Sequence, residues 1–231
     1  MTLLISPLLL VQALWVKLTI VRLPEPSGER IGTCELTDDS PPNLKLLIIG
    51  DSAAAGVGVK QQQDALAGQL CKLLAEKNKV DWQLLAKTGA TSTDLITSLS
   101  YLTAQKYDYV LVSIGVNDVT HPTRASVWQT NLKTLISLLE TKFDSPKIIF
   151  TSVPPMQKFT AIPAPLRWCL GQRAKKLNNI LMKEITTYEQ HSVINFDLPF
   201  KPEFIGEDGI HPSKIAYSTW AKKVAFTMLK H

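Results

Sequence analysis

From residue 44 onward, short apolar runs alternate with stretches whose apolar residues recur at helical spacing. Leu44 to Ile49 is continuously apolar apart from Lys45 and ends at Gly50-Asp51-Ser52, which predicts a buried strand. Trp82 to Ala86, Tyr109 to Ile114, Lys147 to Ser152 and Val193 to Phe196 predict four more. Between them, Ala65 to Lys77 carries Leu66, Leu70, Leu73 and Leu74, and Ala125 to Thr141 carries Leu132, Leu135, Ile136 and Leu139 on one helical face. Thr91-Ser92-Thr93-Asp94 supplies helix-capping side chains before Leu95, Ile96 and Leu99. Arg167 to Glu189 and Ile215 to Leu229 read as two further helices, the last entered at Pro212. Five strands separated by helices predict an α/β fold with a parallel sheet covered on both faces. Ligands of such sheets sit at the carboxyl ends of the strands.

The N-terminal segment departs from this alternation. Leu3 to Val21 is almost wholly apolar, interrupted by Ser6, Pro7, Gln12, Lys17 and Thr19. Its first basic residue, Lys17, comes near the end of the apolar run and not before it, and no small-x-small cleavage site follows, so a cleaved secretory signal is the least favoured reading. About 20 apolar residues can cross a bilayer as a helix. The segment 1–23 is therefore expected to be a helix that spans or rests on a membrane, with a helix docked on the protein's own surface as the alternative. If it spans, Lys17 and Arg22 place the main domain on the cytoplasmic side. Residues 24–43, rich in proline, read as a stiff extended linker, irregular through Asp38-Asp39-Ser40-Pro41-Pro42. Residues 44–231 then form the main domain.

Composition narrows the classes. The chain has 231 residues, 45% of them apolar, enough for one sizeable core and too apolar for a disordered chain. Its three cysteines cannot all pair and no two are spaced as C-x-x-C, which argues against a disulfide scaffold and a structural zinc. A formal charge of +5 is modest and spread out. A nucleic-acid partner would require a broader basic patch with interleaved aromatics. Arg173, Lys175 and Lys176 are read as a solvated helix face, and Trp128, Trp168 and Trp220 as packing residues.

The residues after each strand carry the chemistry. Gly50-Asp51-Ser52 follows the first strand, Thr88-Gly89-Ala90-Thr91 the second, and Gly115-Val116-Asn117-Asp118 the third, while Asp208-Gly209-Ile210-His211-Pro212 comes after the fifth. The phosphate-cradling G-x-x-x-x-G-K-[ST] is absent, Gly56-Val57-Gly58 lacks the third glycine of a dinucleotide loop, and Ser52 is not in G-x-S-x-G. A serine at a strand-to-helix turn becomes a nucleophile when a base takes its proton. His211 can be that base, and Asp208 can accept the other ring N–H and fix the tautomer. The Ser52 and Gly89 main-chain N–H groups and the Asn117 side-chain amide supply three donors for an oxyanion hole. This chemistry calls for no metal and no cofactor, and H-E-x-x-H spacing is absent.

Together, these blocks resemble the SGNH (GDSL-type) hydrolase family of esterases and lipases over roughly Leu44 to Leu229, in the family's order. Ser52 matches the family nucleophile, Gly89 and Asn117 its further oxyanion-hole positions, and Asp208 and His211 its D-x-x-H pair. The resemblance implies a three-layer α/β/α sandwich with a five-stranded parallel sheet of flavodoxin-like order. Ala53 stands where the GDSL tetrapeptide has leucine, a position without chemical demand. Ser152 to Met156 and Pro165 to Trp168 look like a bacterial esterase- or lipase-like subgroup, some of whose members are linked to long-chain N-acyl amino acid metabolism.

The expectation is a serine hydrolase of lipid-like or short-to-medium acyl esters, acting on a small-molecule or lipid ester, with a membrane surface as a further partner. Alternatives are an acyltransferase using the same acyl-enzyme, or a non-catalytic, membrane-tethered acyl-binding module. Asp51 is read as bracing the nucleophile turn, His121 as a solvated loop residue, and His191 and His231 as exposed. Asp197 is a rival to Asp208 as the histidine's partner. The proline-stiffened segment Pro154 to Arg167 is read either as an acyl-covering loop or as a packed surface loop.

Overall fold

The computed structural model describes residues 2–35, 43–121 and 123–230. Asp38 to Pro42 and His231 lie outside the described residues. In chain order the elements are α1 (Thr2–Thr19), β1 (Ile31–Cys34), β2 (Asn43–Gly50), α2 (Ser52–Ala55), α3 (Leu66–Leu74), β3 (Lys79–Ala86), α4 (Ser92–Tyr101), β4 (Tyr109–Ser113), α5 (Val116–Thr120), α6 (Ala125–Phe143), β5 (Lys147–Thr151), α7 (Leu166–Ile185), β6 (Ser192–Ile194) and α8 (Lys214–Leu229).

Side-chain alternation along the central strands builds the layers. Leu47, Ile49, Val110, Val112, Ile148 and Phe150 face one core, packed against Leu95 and Leu99 of α4, Trp128, Leu132 and Ile136 of α6, and Leu177 and Leu181 of α7. Leu46, Ile48, Leu111 and Ile149 face the other, against Leu66, Leu70 and Leu74 of α3 and Tyr217, Trp220 and Val224 of α8. These strands are buried on both faces, so they read as continuous apolar runs. Each buried leucine or isoleucine contributes on the order of 2 kcal/mol, so the two cores dominate the fold's stability.

The sheet order is β1-β3-β2-β4-β5-β6. The five parallel strands follow the flavodoxin-like order. β1 corrects the reading of five strands and of residues 24–43 as a plain linker. It pairs antiparallel with β3, with Ile31 opposite Gln83 and Cys34 opposite Val80. The chain before β1 is also fastened, at Ser27 and Arg30. Ser27 O accepts the Gln62 N–H at 2.8 Å, and an Arg30 guanidinium N–H donates to Ala86 O at 2.9 Å.

The helix α1 is about 27 Å long at 1.5 Å per residue, short of a bilayer's hydrocarbon core. Among the described residues no helix is long and apolar enough to cross a membrane. Leu9 and Val16 instead pack against the first core. Gln12 donates to Ala164 O at 2.7 Å and accepts the Leu166 N–H at 3.0 Å. At its other end the chain enters α8 through Ser213, one residue later than the reading from Pro212, because the Ser213 hydroxyl caps the Ala216 N–H.

Candidate active site

The turn that carries Ser52 begins where β2 ends. Gly50 has no room for a Cβ, which would lie 2.0 Å from Ser113 O on β4. The close approach of the two strands is what turns the chain out of the sheet at Asp51. The Asp51 N–H donates to Ser113 O, and its carboxylate caps α2 by accepting the Ala53 N–H at 3.1 Å. From α8, the Tyr217 hydroxyl reaches Val57 O at 2.7 Å and Ala53 O at 3.1 Å, tying both ends of α2 to the core. Ser52 is left at the head of α2, half-buried, with its hydroxyl facing the C-terminal end of the sheet.

The histidine arrives from the opposite end of the chain. The Gly206 N–H donates to His211 O at 2.7 Å and closes the turn 206–211. Within it, Asp208 Oδ1 accepts the main-chain N–H groups of Ile210 and His211, both at 3.0 Å. That leaves Asp208 Oδ2 on His211 Nδ1 at 2.5 Å, while His211 Nε2 lies 2.7 Å from Ser52 Oγ. The acidic partner places the ring proton on Nδ1, so Nε2 accepts from the serine hydroxyl. Burial works to raise the Asp208 carboxyl, but the hydrogen bonds and charge of His211 outweigh it and hold the group below its ordinary value. Asp197 is not a competitor: it pairs with Lys223.

Gly89 and Asn117 lie on the neighbouring loops. Gly89 adopts φ +83°, a left-handed conformation that favours glycine, although a Cβ there would meet nothing within 4 Å. Among the described residues the Ser52 and Gly89 N–H groups have no acceptor. One amide hydrogen of Asn117 is spent on Ala90 O at 2.9 Å, which locks the two loops together and leaves the second hydrogen available. Beneath them, the buried Asp118 carboxylate accepts the Ser92 N–H at 3.0 Å and the Ser92 hydroxyl at 2.6 Å. Burial pushes the Asp118 carboxyl up, opposed by those two bonds.

Two residues that fasten the loops around Asn117 and Gly89 escaped the sequence reading. Arg173 is not part of a solvated face: its guanidinium donates to the carbonyls of Asp118, His121 and Thr123, at 3.3, 2.7 and 3.3 Å, and clasps the loop after Asn117. Its neighbours Lys175 and Lys176 are exposed, as expected. Glu25, in the supposed linker, accepts both the main-chain N–H and the hydroxyl of Thr88 at 2.7 Å, one residue before Gly89. His191 also differs from expectation. It is buried, contacts Glu140 at 3.0 Å through Nε2, and stacks on Tyr188. Exposed His121 has Nδ1 2.8 Å from Asn117 O.

Beside Ser52 and His211 lies a pocket of about 50 Å³, walled by Ile114, Val116, Val153, Phe159 and Ile210. The segment Pro154 to Arg167 is thus both packed and pocket-lining: Met156, Phe159 and Ile162 are buried, and Phe159 faces the cavity.

The model of the GDSL-like lipase/acylhydrolase family matches residues 48–218. The chain belongs to that family. Membership makes this acylhydrolase a carboxylic ester hydrolase. An arylesterase of Vibrio mimicus is 26% identical over 200 residues, covering 85% of this chain and 94% of that protein. The fold is shared with a lipase/acylhydrolase from Enterococcus faecalis (TM-score 0.62, 18% identity, 80% of this chain and 95% of the other). It is also shared with the esterase EstA from a Pseudoalteromonas species (TM-score 0.61, 21% identity, 80% and 96%).

Asp51 gives the acylhydrolase a pH-dependent stability. Complete burial pushes its carboxyl up to about 7, opposed by the Ala53 N–H and the His211 charge. A carboxyl raised in the folded state binds its proton more tightly there than in the unfolded chain, so stability falls as pH rises from about 4 to about 7. Asp51→Asn removes this contribution and is expected to flatten the decline of the urea midpoint across that range, by roughly 4 kcal/mol in full. Unchanged curvature in the variant would show that Asp51 does not titrate there.

Proposed function

We propose that this acylhydrolase cleaves esters of short acyl groups with Ser52 as nucleophile, His211 as general base and acid, and Asp208 as the group that orients the imidazole. The observation that carries the reading is the hydrogen-bonded chain from Ser52 Oγ through both His211 nitrogens to Asp208. His211 Nε2 takes the hydroxyl proton as Oγ attacks the ester carbonyl. The oxyanion receives the N–H groups of Ser52 and Gly89 and the second amide hydrogen of Asn117. Collapse breaks the bond to the leaving oxygen, which takes the proton from Nε2 and departs as the alcohol. Water then attacks the acyl-serine, its proton passing through His211 to Ser52 Oγ, and the carboxylic acid leaves.

The pocket supports the short end of the acyl range. Its 50 Å³ admits about three or four water-sized groups, hence acyl chains of about two to four carbons. A p-nitrophenyl ester series from acetyl to palmitoyl is expected to peak at the short end, and a peak at palmitoyl would refute the size argument. Phe159→Ala opens the wall and is expected to shift the optimum to longer acyl groups by about tenfold in relative kcat/KM.

Asn117→Ala tests the oxyanion reading. It removes one donor and is expected to lower kcat by about 10²–10³ with KM little changed. An unaltered kcat would take Asn117 out of the reaction.

A further inference from the structure

Among the described residues, the outer side of α1 and the residues just after it form an uncovered apolar strip. Leu10, Val11, Leu14, Trp15, Leu18 and Val21 are each 53–75% exposed. The inner side is fully engaged, through Leu9, Val16 and the two Gln12 bonds to Ala164 and Leu166. Two residues beyond Leu166, Trp168 is also 60% exposed. Strips of this extent mark a contact with another apolar phase.

Charge decides which one. Lys17 and Arg22 are exposed on the same segment and form no ion pair among the described residues, and residues 1–24 contain no aspartate or glutamate. A second copy meeting this strip would set like charges together. An anionic lipid surface supplies the opposite sign and the apolar phase at once. We propose that α1 lies flat on an anionic phospholipid bilayer, its leucines in the acyl boundary and Lys17 and Arg22 among the headgroups. The helix is held by the loop 154–166, which also contributes Phe159 to the pocket and Ala161 against Gly209 in the Asp208–His211 turn. The docked face and the reaction centre therefore share one rigid connection.

Sedimentation of the full chain with phosphatidylcholine vesicles, with and without an equal part of phosphatidylglycerol, tests this without turnover. Partitioning onto the anionic vesicles is expected to fall about 100-fold in Leu10→Glu/Leu14→Glu and about fivefold for each of Lys17→Gln and Arg22→Gln. Circular dichroism and p-nitrophenyl acetate hydrolysis are expected to be unchanged, since these side chains are exposed and remote from Ser52. Wild-type protein left in the supernatant, binding insensitive to the leucine substitutions, or a vesicle-independent dimer broken by them would overturn the proposal.

A separate observation bears on the reaction itself. Glu25 lies outside the family-matched residues, yet its carboxylate holds the Thr88 N–H and hydroxyl and reaches Arg30 at 3.4 Å. We infer that Glu25 is a positioning residue that aims the Gly89 N–H, an inference resting on the oxyanion reading above. Glu25→Gln is expected to lower kcat about tenfold with KM unchanged, and Glu25→Asp to fall between. A lowered Tm with unchanged kcat would reduce Glu25 to a structural clasp. If Asn117→Ala lowers kcat while Glu25→Gln does not, this inference alone fails. If neither does, the oxyanion reading fails.

Discussion

Ser52→Ala is expected to lower kcat/KM for p-nitrophenyl acetate by about 10⁴–10⁶-fold while leaving the fold intact. The Ser52 hydroxyl has one side-chain partner, His211 Nε2, so its loss leaves no buried group stranded. The oxyanion donors survive, two of them as main-chain N–H groups, so a residual rate above the uncatalysed reaction should remain. His211→Ala is expected to cost a similar factor. The double variant should be no slower than either single one, because nucleophile and base act in one step. A fluorophosphonate probe should label the wild type and not Ser52→Ala. Activity within about tenfold of wild type in Ser52→Ala would remove the hydroxyl from the reaction.

The parts of this acylhydrolase legible in its sequence are those where local composition and tertiary demand agree. β2, β4 and β5 are buried on both faces, and their apolar runs announce them. The Thr91-Ser92-Thr93-Asp94 cap is a local device, and it appears as a reciprocal capping box between Thr91 and Asp94. The D-x-x-H spacing was equally local, since one tight turn brings Asp208 to both the ring and the main chain of His211.

What was not legible depends on distant partners. β1 is four residues with alternating half-exposure, recognisable only through its pairing with β3 some 50 positions away. Nothing near Glu25 signals that it will hold Thr88, 63 residues later. His191 is polar in sequence but buried by Glu140, 51 residues away. Arg173 stands beside two lysines that are solvated, and only the carbonyls of a loop some 50 residues earlier set it apart. In the N-terminal helix, Leu9, Gln12 and Val16 recur at the i, i+3, i+7 spacing of a docked face, the alternative that the apolar content left open. A glutamine within that row was the available signal for protein rather than lipid on that side.

Asp208→Asn is expected to lower kcat about 10⁴-fold at neutral pH with KM nearly unchanged. The asparagine oxygen can still accept the Ile210 and His211 main-chain N–H groups at the Oδ1 position, so the turn should keep its shape. Its amide nitrogen then occupies the Oδ2 position and donates towards His211 Nδ1. That favours the tautomer with the proton on Nε2, where it faces Ser52 Oγ and blocks proton acceptance. Asp208 in the wild type is held below the ordinary carboxylate range, so it stays ionised while imidazoles titrate. Protonation of Asp208 therefore does not set the acid limb of the wild-type kcat/KM profile near neutral pH. Asp197→Asn is the matched control: its carboxylate serves Lys223, so activity should stay within about twofold of wild type. Equal losses in the two variants would mean that a general change in charge, and not the Asp208–His211 bond, sets the rate.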